Sequence, residues 1–178
     1  MAKKQKNNLK FDTDWQYDPA PESPELAKLN DSYDLFIDGK FVKPTGGKYF
    51  DTTSPPSHKT LAKVAEADKR DVAKAVTAAR KAYEGTWSRL RPSERGKYLF
   101  RIARVIQERS RELAVTESLN GGKPIRESRD IDLPLVASHF FYHAGWADKL
   151  SYAFAGRKVS PLGVAGQIIP WNFPLLMA

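Results

Sequence analysis

Cysteine is missing from the whole chain. That excludes disulfides, and it excludes a thiol nucleophile anywhere in these 178 residues. Long apolar runs are missing too: no stretch reaches the ~20 residues that a membrane-spanning helix needs. The start, Met1-Ala2-Lys3-Lys4-Gln5-Lys6, lacks the apolar centre of a secretory signal. This argues against export by that route and for a cytoplasmic protein. Histidine is scarce. His139 and His143 stand at metal-binding spacing on a helix, but no glutamate lies between them, and Phe140, Phe141, Tyr142 and Trp146 surround them. A packed aromatic helix face is the expectation, with His58 set apart. Acids are fewer than bases, 21 against 29, which leaves a net charge of +8. Four lysines without an acid fall in residues 1–10, so half of that excess is a terminal matter. Across 101–129 the bases alternate with Glu108, Glu112, Glu117 and Glu127, the pattern of a solvated helix face. With no aromatic–basic interleaving, nucleic-acid binding is not expected.

What is present is ordinary for a globular domain: 41% hydrophobic and 28% charged residues, in a chain long enough for one real core. Residues 1–31 are polar and broken by Pro19, Pro21 and Pro24, so they read as an extended arm. Its Phe11, Trp15 and Tyr17 suggest that it lies over the body or against another subunit. Leu35-Phe36-Ile37 and Phe41-Val42 flank Asp38-Gly39, a strong hairpin signal. Thr60–Ala65 reads as a short strand. Asp68 caps a helix to about Thr86, with Val72, Ala75, Val76, Ala79 and Tyr83 on one apolar stripe. Pro92 starts a second helix, with Leu99, Ile102, Ile106 and Leu113 on its buried face and Asn120-Gly121-Gly122 ending it. A third helix is expected over 125–150, with a kink or new start at Pro134. Ser151–Val159 alternates like a half-exposed strand, and Leu162–Ile169 is apolar enough for a parallel strand covered on both faces.

The most informative stretch is the last. Ile168-Ile169-Pro170-Trp171-Asn172-Phe173-Pro174 sets a carboxamide between two aromatic residues and two prolines, at the end of an apolar run. Two readings compete for Asn172. As a turn residue, its side chain would bond nearby backbone groups. As a donor, its NH₂ would face an oxygen that gains negative charge during a reaction. The prolines fix their own φ and restrict Trp171 and Phe173 before them, which suits a donor held at a set angle.

Resemblance separates these readings. Gly166-Gln167-Ile168-Ile169-Pro170-Trp171-Asn172-Phe173-Pro174-Leu175 resembles the signature of the NAD(P)-dependent aldehyde dehydrogenases. Phe36-Ile37-Asp38-Gly39-Lys40-Phe41-Val42 resembles their early hairpin, and Glu117-Ser118-Leu119-Asn120-Gly121-Gly122-Lys123-Pro124 a helix end found in the same enzymes. Pro161-Leu162-Gly163-Val164 makes a fourth block, and all four fall in the family's order between residues 35 and 178. Tyr17 and the prolines after it resemble the start of the family-16 branch.

The resemblance implies an α/β fold: the N-terminal part of the aldehyde dehydrogenase architecture, with small β-hairpins, a helical layer and the first strand of a modified Rossmann sheet at 162–169. It implies an arm over 1–31 and, over 32–178, the start of an NAD(P)-binding domain. That domain would include one strand of an oligomerisation hairpin at about 150–160, and the catalytic domain would be absent. In such enzymes a thiolate adds to the aldehyde, a nicotinamide takes a hydride, and a glutamate-activated water hydrolyses the resulting thioester to the acid. The resemblance gives Asn172 the role of oxyanion donor. It places Ile168, Ile169, Pro170, Trp171 and Asn172 at the NAD or NADP pocket, and it implies an aldehyde substrate and a homo-oligomer, dimer or tetramer. The nucleophile and the general base would lie beyond Ala178, so these residues alone are expected to be inactive. The alternative is a non-catalytic structural or regulatory subunit of the same type.

Overall fold

Strands come first along the chain and helices follow. The computed structural model describes residues 22–178. Residues 1–21 of the expected arm, with Phe11, Trp15, Tyr17, Pro19 and Pro21, lie outside the described residues. The part that follows is tied down: Glu22 sits between Arg111 (3.4 Å) and Arg129 (3.1 Å). The strands are β1 (Ser32–Tyr33), β2 (Leu35–Ile37), β3 (Lys40–Val42), β4 (Tyr49–Thr53) and β5 (Thr60–Ala65). β5 is central, with β1 parallel on one side and β4 antiparallel on the other. β2 and β3 form a separate hairpin that sets Phe36 opposite Phe41. Its turn places Asp38 at φ +52° and Gly39 at φ +75°, the paired positive values of the type I′ turn that Asp-Gly favours.

Helix α1 (Lys69–Gly85) starts on a reciprocal cap. The Asp68 carboxylate accepts the N–H groups of Arg70 and Asp71, and the Asp71 carboxylate accepts the N–H of Asp68. Asp71 is 1% exposed and also accepts from the Thr45 backbone N–H and hydroxyl, so it pins the β3–β4 loop to the helix. The expected apolar stripe of α1 is only partly used. Val72 and Val76 stay exposed, because no described element covers that side.

The helix expected from Pro92 is two helices, α2 (Pro92–Glu108) and α3 (Ser110–Gly121). Arg109, at φ −102° and ψ 14°, breaks them, so that Ile106 before the bend and Ala114 after it reach the same core. The buried face of α2 is smaller than expected: Gly96, Ala103 and Ile106 are buried, Leu99 is half-buried and Ile102 exposed. The reason is the closeness of α5 (Leu133–Ala147). A Cβ built on Gly96 would come within 2.9 Å of the Ala144 carbonyl oxygen and 3.3 Å of the Ala147 Cβ. Before α5 come a single turn, α4 (Ile125–Glu127), and a π-helical turn, Ser128–Asp132. Glu127, Ser128, Asp132 and Leu133 all keep helical φ and ψ, so the backbone runs on from α4 into α5, and the π-helical turn just before Pro134 takes the place of the expected kink or new start. The core gathers Ile106, Ala114, Leu133, Val136 and Ala137, with Phe140, Phe141, Leu175 and Leu176 packed on it.

Three expectations are corrected. The face of α5 bearing His139, Tyr142, His143 and Trp146 is exposed, because the core lies on its Leu133–Val136–Ala137 side. Ser151–Val159 holds a short helix, α6 (Leu150–Ala153), and then irregular backbone in place of a strand. Leu162–Ile169 is also without a ladder, and Leu162 and Ile168 are fully exposed. A strand exists through its partner's hydrogen bonds, and no described strand pairs with either stretch.

Candidate functional site

The C-terminal segment lies across the helices and is held at both ends. Tyr83 of α1 donates its hydroxyl to the Pro161 carbonyl oxygen at 3.1 Å. Gly163, at φ +105°, lies against Arg80 and Tyr83, a conformation that suits a residue without a Cβ. At the other end Pro174 opens α7 (Pro174–Met177), and Leu175 and Leu176 dock on the core. The Gln167 amide donates to the Ala178 carbonyl oxygen at 3.2 Å, closing the segment on itself.

Between these anchors Ile168, Ile169, Pro170, Trp171 and Asn172 run consecutively along the outside. Ile168 is fully exposed and Trp171 is 91% exposed; Ile169 is half-buried, and Pro170 and Asn172 are open to solvent. Asn172 therefore sits at the surface of the described residues rather than at the end of a covered strand. Its carboxamide forms no hydrogen bond with another described residue, so it is not stitching the turn in which it lies.

The turn that follows α3 supports this stretch from below. Gly122, at φ +72°, ends the helix in the left-handed conformation, and Ser118 Oγ donates to the Lys123 carbonyl oxygen at 2.6 Å. The Trp171 carbonyl oxygen lies 3.7 Å from where a Cβ on Gly121 would be. Lys123 points inward, with its side chain 11% exposed. Its ammonium pairs with Asp132 and lies 3.6 Å from Glu117. The same ammonium stands 3.9 Å from the centre of the Phe173 ring, inside cation–π range.

Glu117, expected on a solvated face, is 6% exposed, which is a correction. Burial pushes its carboxyl above the ordinary range; Lys123 opposes that shift and Asp132 adds to it. Glu117 Oε1 and Ser128 Oγ are buried without a hydrogen-bond partner among the described residues. Sequence reasoning missed the Glu117–Lys123–Asp132 cluster, although one signal was available. Glu117 stands four residues after Leu113 and three after Ala114, so helical spacing places it on the apolar face.

Chemically the segment offers a free amide donor beside an apolar wall. Ile168, Ile169, Pro170 and Trp171 form an exposed apolar ledge, and the segment from Pro161 to Ala178 contains no Lys or Arg. Among the described residues no group of three His, Asp or Glu side chains is placed to hold a metal ion. No described helix is long and apolar enough to cross a membrane.

Known proteins resemble this arrangement. The model of the aldehyde dehydrogenase family matches residues 41–178. An aldehyde dehydrogenase of Aspergillus niger is 42% identical over 163 residues, which are 87% of this chain and 33% of that protein. The mitochondrial aldehyde dehydrogenase family 2 member B4 of Arabidopsis thaliana is 44% identical over 152 residues, 80% of this chain and 28% of that protein. An NAD⁺ complex of an aldehyde dehydrogenase from Bacillus cereus superposes with a TM-score of 0.75 at 38% identity, covering 84% of this chain and 32% of that one. The chain thus spans about a third of the length of the relatives it matches. From the hairpin to Asn172, its blocks and its fold are those of the N-terminal part of these enzymes, and the chain belongs to the aldehyde dehydrogenase family.

Proposed function

We propose that the protein carrying this chain oxidises an aldehyde to a carboxylic acid through a cysteine thioester, and that these residues supply its oxyanion donor and one wall of its dinucleotide pocket. Asn172 would donate its side-chain N–H to the oxygen that becomes negative when a thiolate adds to the aldehyde carbonyl. Ile168, Ile169, Pro170 and Trp171 would line the nicotinamide side. Bound NAD⁺ or NADP⁺ would accept the hydride. The thiolate and the base that activates water would come from residues outside this chain, which contains no cysteine. On this reading the 178 residues alone do not turn over, and the complete protein works in the cytoplasm as a homo-oligomer.

The free carboxamide carries the proposal. A turn asparagine can spend its side chain on neighbouring backbone groups. The Asn172 side chain instead lies exposed beside an apolar ledge and bonds no other described residue. A donor kept in reserve is what an oxyanion site requires. Asn172→Ala in the complete protein should lower kcat by about 10²–10³, the usual cost of one lost oxyanion donor. KM for the aldehyde should change little. Unchanged turnover would remove the assignment. NADH or NADPH formation by the isolated 178 residues, with any aldehyde, would remove the claim that they are inactive.

A further inference from the structure

Asn172 makes no side-chain bond to another described residue, so its position depends on its neighbours. Both neighbours rest on one turn. The Trp171 carbonyl oxygen lies over Gly121, and the Phe173 ring lies over Lys123. Phe173 is also where the docked part of the chain ends. After it, the Met177 N–H donates to the Phe173 carbonyl oxygen at 3.0 Å, and Leu175 and Leu176 are packed on the core. Before it, Trp171 and Asn172 are exposed. The ring of Phe173 is therefore the last fixed point before the carboxamide.

The fixing group is unusual. An ammonium 11% exposed, faced by carboxylates 4% and 2% exposed, is a costly thing to build. Buried ion pairs of this kind seldom stabilise a fold more than apolar residues of the same size would. What they provide is a defined place. Ser118 holds the Lys123 backbone, Asp132 and Glu117 hold its ammonium, and the side left open faces the Phe173 ring. A leucine at 123 could cover the same ring, but it would not hold the ring at one point, because apolar contact has no preferred direction.

We propose that Lys123 is a positioning residue for Asn172: anchored by Asp132 and Glu117, its ammonium clamps the Phe173 ring and so sets the angle at which the neighbouring carboxamide is presented. This rests on the oxyanion role of Asn172 proposed above. The same clamp predicts that Lys123 acts on turnover and not on substrate capture.

The test uses the complete protein, assayed with a panel of aliphatic and aromatic aldehydes and with NAD⁺ or NADP⁺. Lys123→Met should lower kcat about tenfold, the scale of a desolvated cation–π contact, with KM for the aldehyde and Kd for the dinucleotide within about twofold. Lys123→Arg should recover most of kcat, because it restores both the charge and the ring contact. Phe173→Leu leaves the buried charges paired, and it should reproduce the loss. The double variant should lose no more than either single one. In the unliganded protein, hydrogen exchange of the Met177 amide, which is bonded to the Phe173 carbonyl oxygen, should rise in Lys123→Met and Phe173→Leu. Where Lys123→Met does not fold, Phe173→Leu decides alone. Normal kcat in Phe173→Leu, or a Lys123→Met variant that raises KM and leaves kcat intact, overturns the clamp. If Asn172→Ala is crippled while those variants are not, only the clamp fails. If Asn172→Ala is fully active, the oxyanion reading fails and the clamp fails with it.

Discussion

Substituting alanine for Gly96 should destabilise the chain, although alanine is the better helix former. The new Cβ would stand 2.9 Å from the Ala144 carbonyl oxygen and 3.3 Å from the Ala147 Cβ. A carbon–oxygen contact normally lies near ~3.3–3.6 Å, so α2 and α5 must move apart by about 0.4 Å or bend. Forcing a methyl group into a packed interface costs ~1–3 kcal/mol. Helix propensity returns about 1 kcal/mol. The mid-range difference is a net loss of roughly 1 kcal/mol. Gly145 is the control. It lies inside α5, and a Cβ there would meet nothing within 4 Å. Gly145→Ala should therefore gain up to about 1 kcal/mol, which separates the two variants by ~2 kcal/mol. Urea unfolding followed by far-ultraviolet circular dichroism reads this directly. At a slope of ~2 kcal/mol per M, the two midpoints should lie about 1 M apart, on opposite sides of the parent. If both substitutions stabilise alike, α2 and α5 do not approach as described and Gly96 is not the reason for their closeness.

Two other outcomes follow from the same structure. Gly122→Ala places a Cβ at φ +72° and 3.1 Å from the Pro55 Cβ, so it should cost ~1–2 kcal/mol and lower Tm by about 4 °C; an unchanged Tm by calorimetry would contradict the left-handed helix end. Stability should also depend on pH with two opposite signs. Hydrogen bonds from Arg70 lower the Asp68 carboxyl to about 2, and those from Thr45 lower that of Asp71. Both contributions are complete above the unfolded value near ~4 and are lost as pH falls through the folded values. Glu117 runs the other way. Its raised value means that the folded chain keeps a proton the unfolded chain has released, so stability declines as pH rises from ~4.3 through that value. Urea midpoints between pH 2 and 8 should show both limbs. Glu117→Gln should flatten the upper one and spare the lower, and an upper limb that survives this change would refute the assignment.

Elements whose cause is local could be read from the sequence. Asp38-Gly39 makes its turn because glycine reaches positive φ freely, and that preference belongs to two residues. Asp68 caps α1 because its short side chain reaches the N–H groups of Arg70 and Asp71, two and three residues on, at 2.8 and 3.3 Å, and Gly122 ends α3 for an equally local reason. The same holds for Pro92, in the first turn of α2. The candidate segment stood out by its composition, but composition left both a turn role and a donor role open for Asn172, and only the resemblance separated them.

What escaped the sequence was whatever depends on a second surface. Leu162–Ile169 has the residues of a covered strand, yet a strand is made by its neighbour, and apolar content says only that a neighbour would be welcome. Ile102 and the Val72–Val76 stripe fit their helical pattern and remain exposed because burial needs an opposing element. Glu117 erred in the other direction. Its charge suggested solvent, while its spacing from Leu113 and Ala114 placed it inside. When charge and period disagree, the period fixes where the side chain must go, because it follows from backbone geometry. The charge then fixes which partners must be there. Applied to Glu117, that rule demands a buried cation, and the nearest base downstream on the same turn is Lys123, the residue on which Phe173 and the position of Asn172 depend.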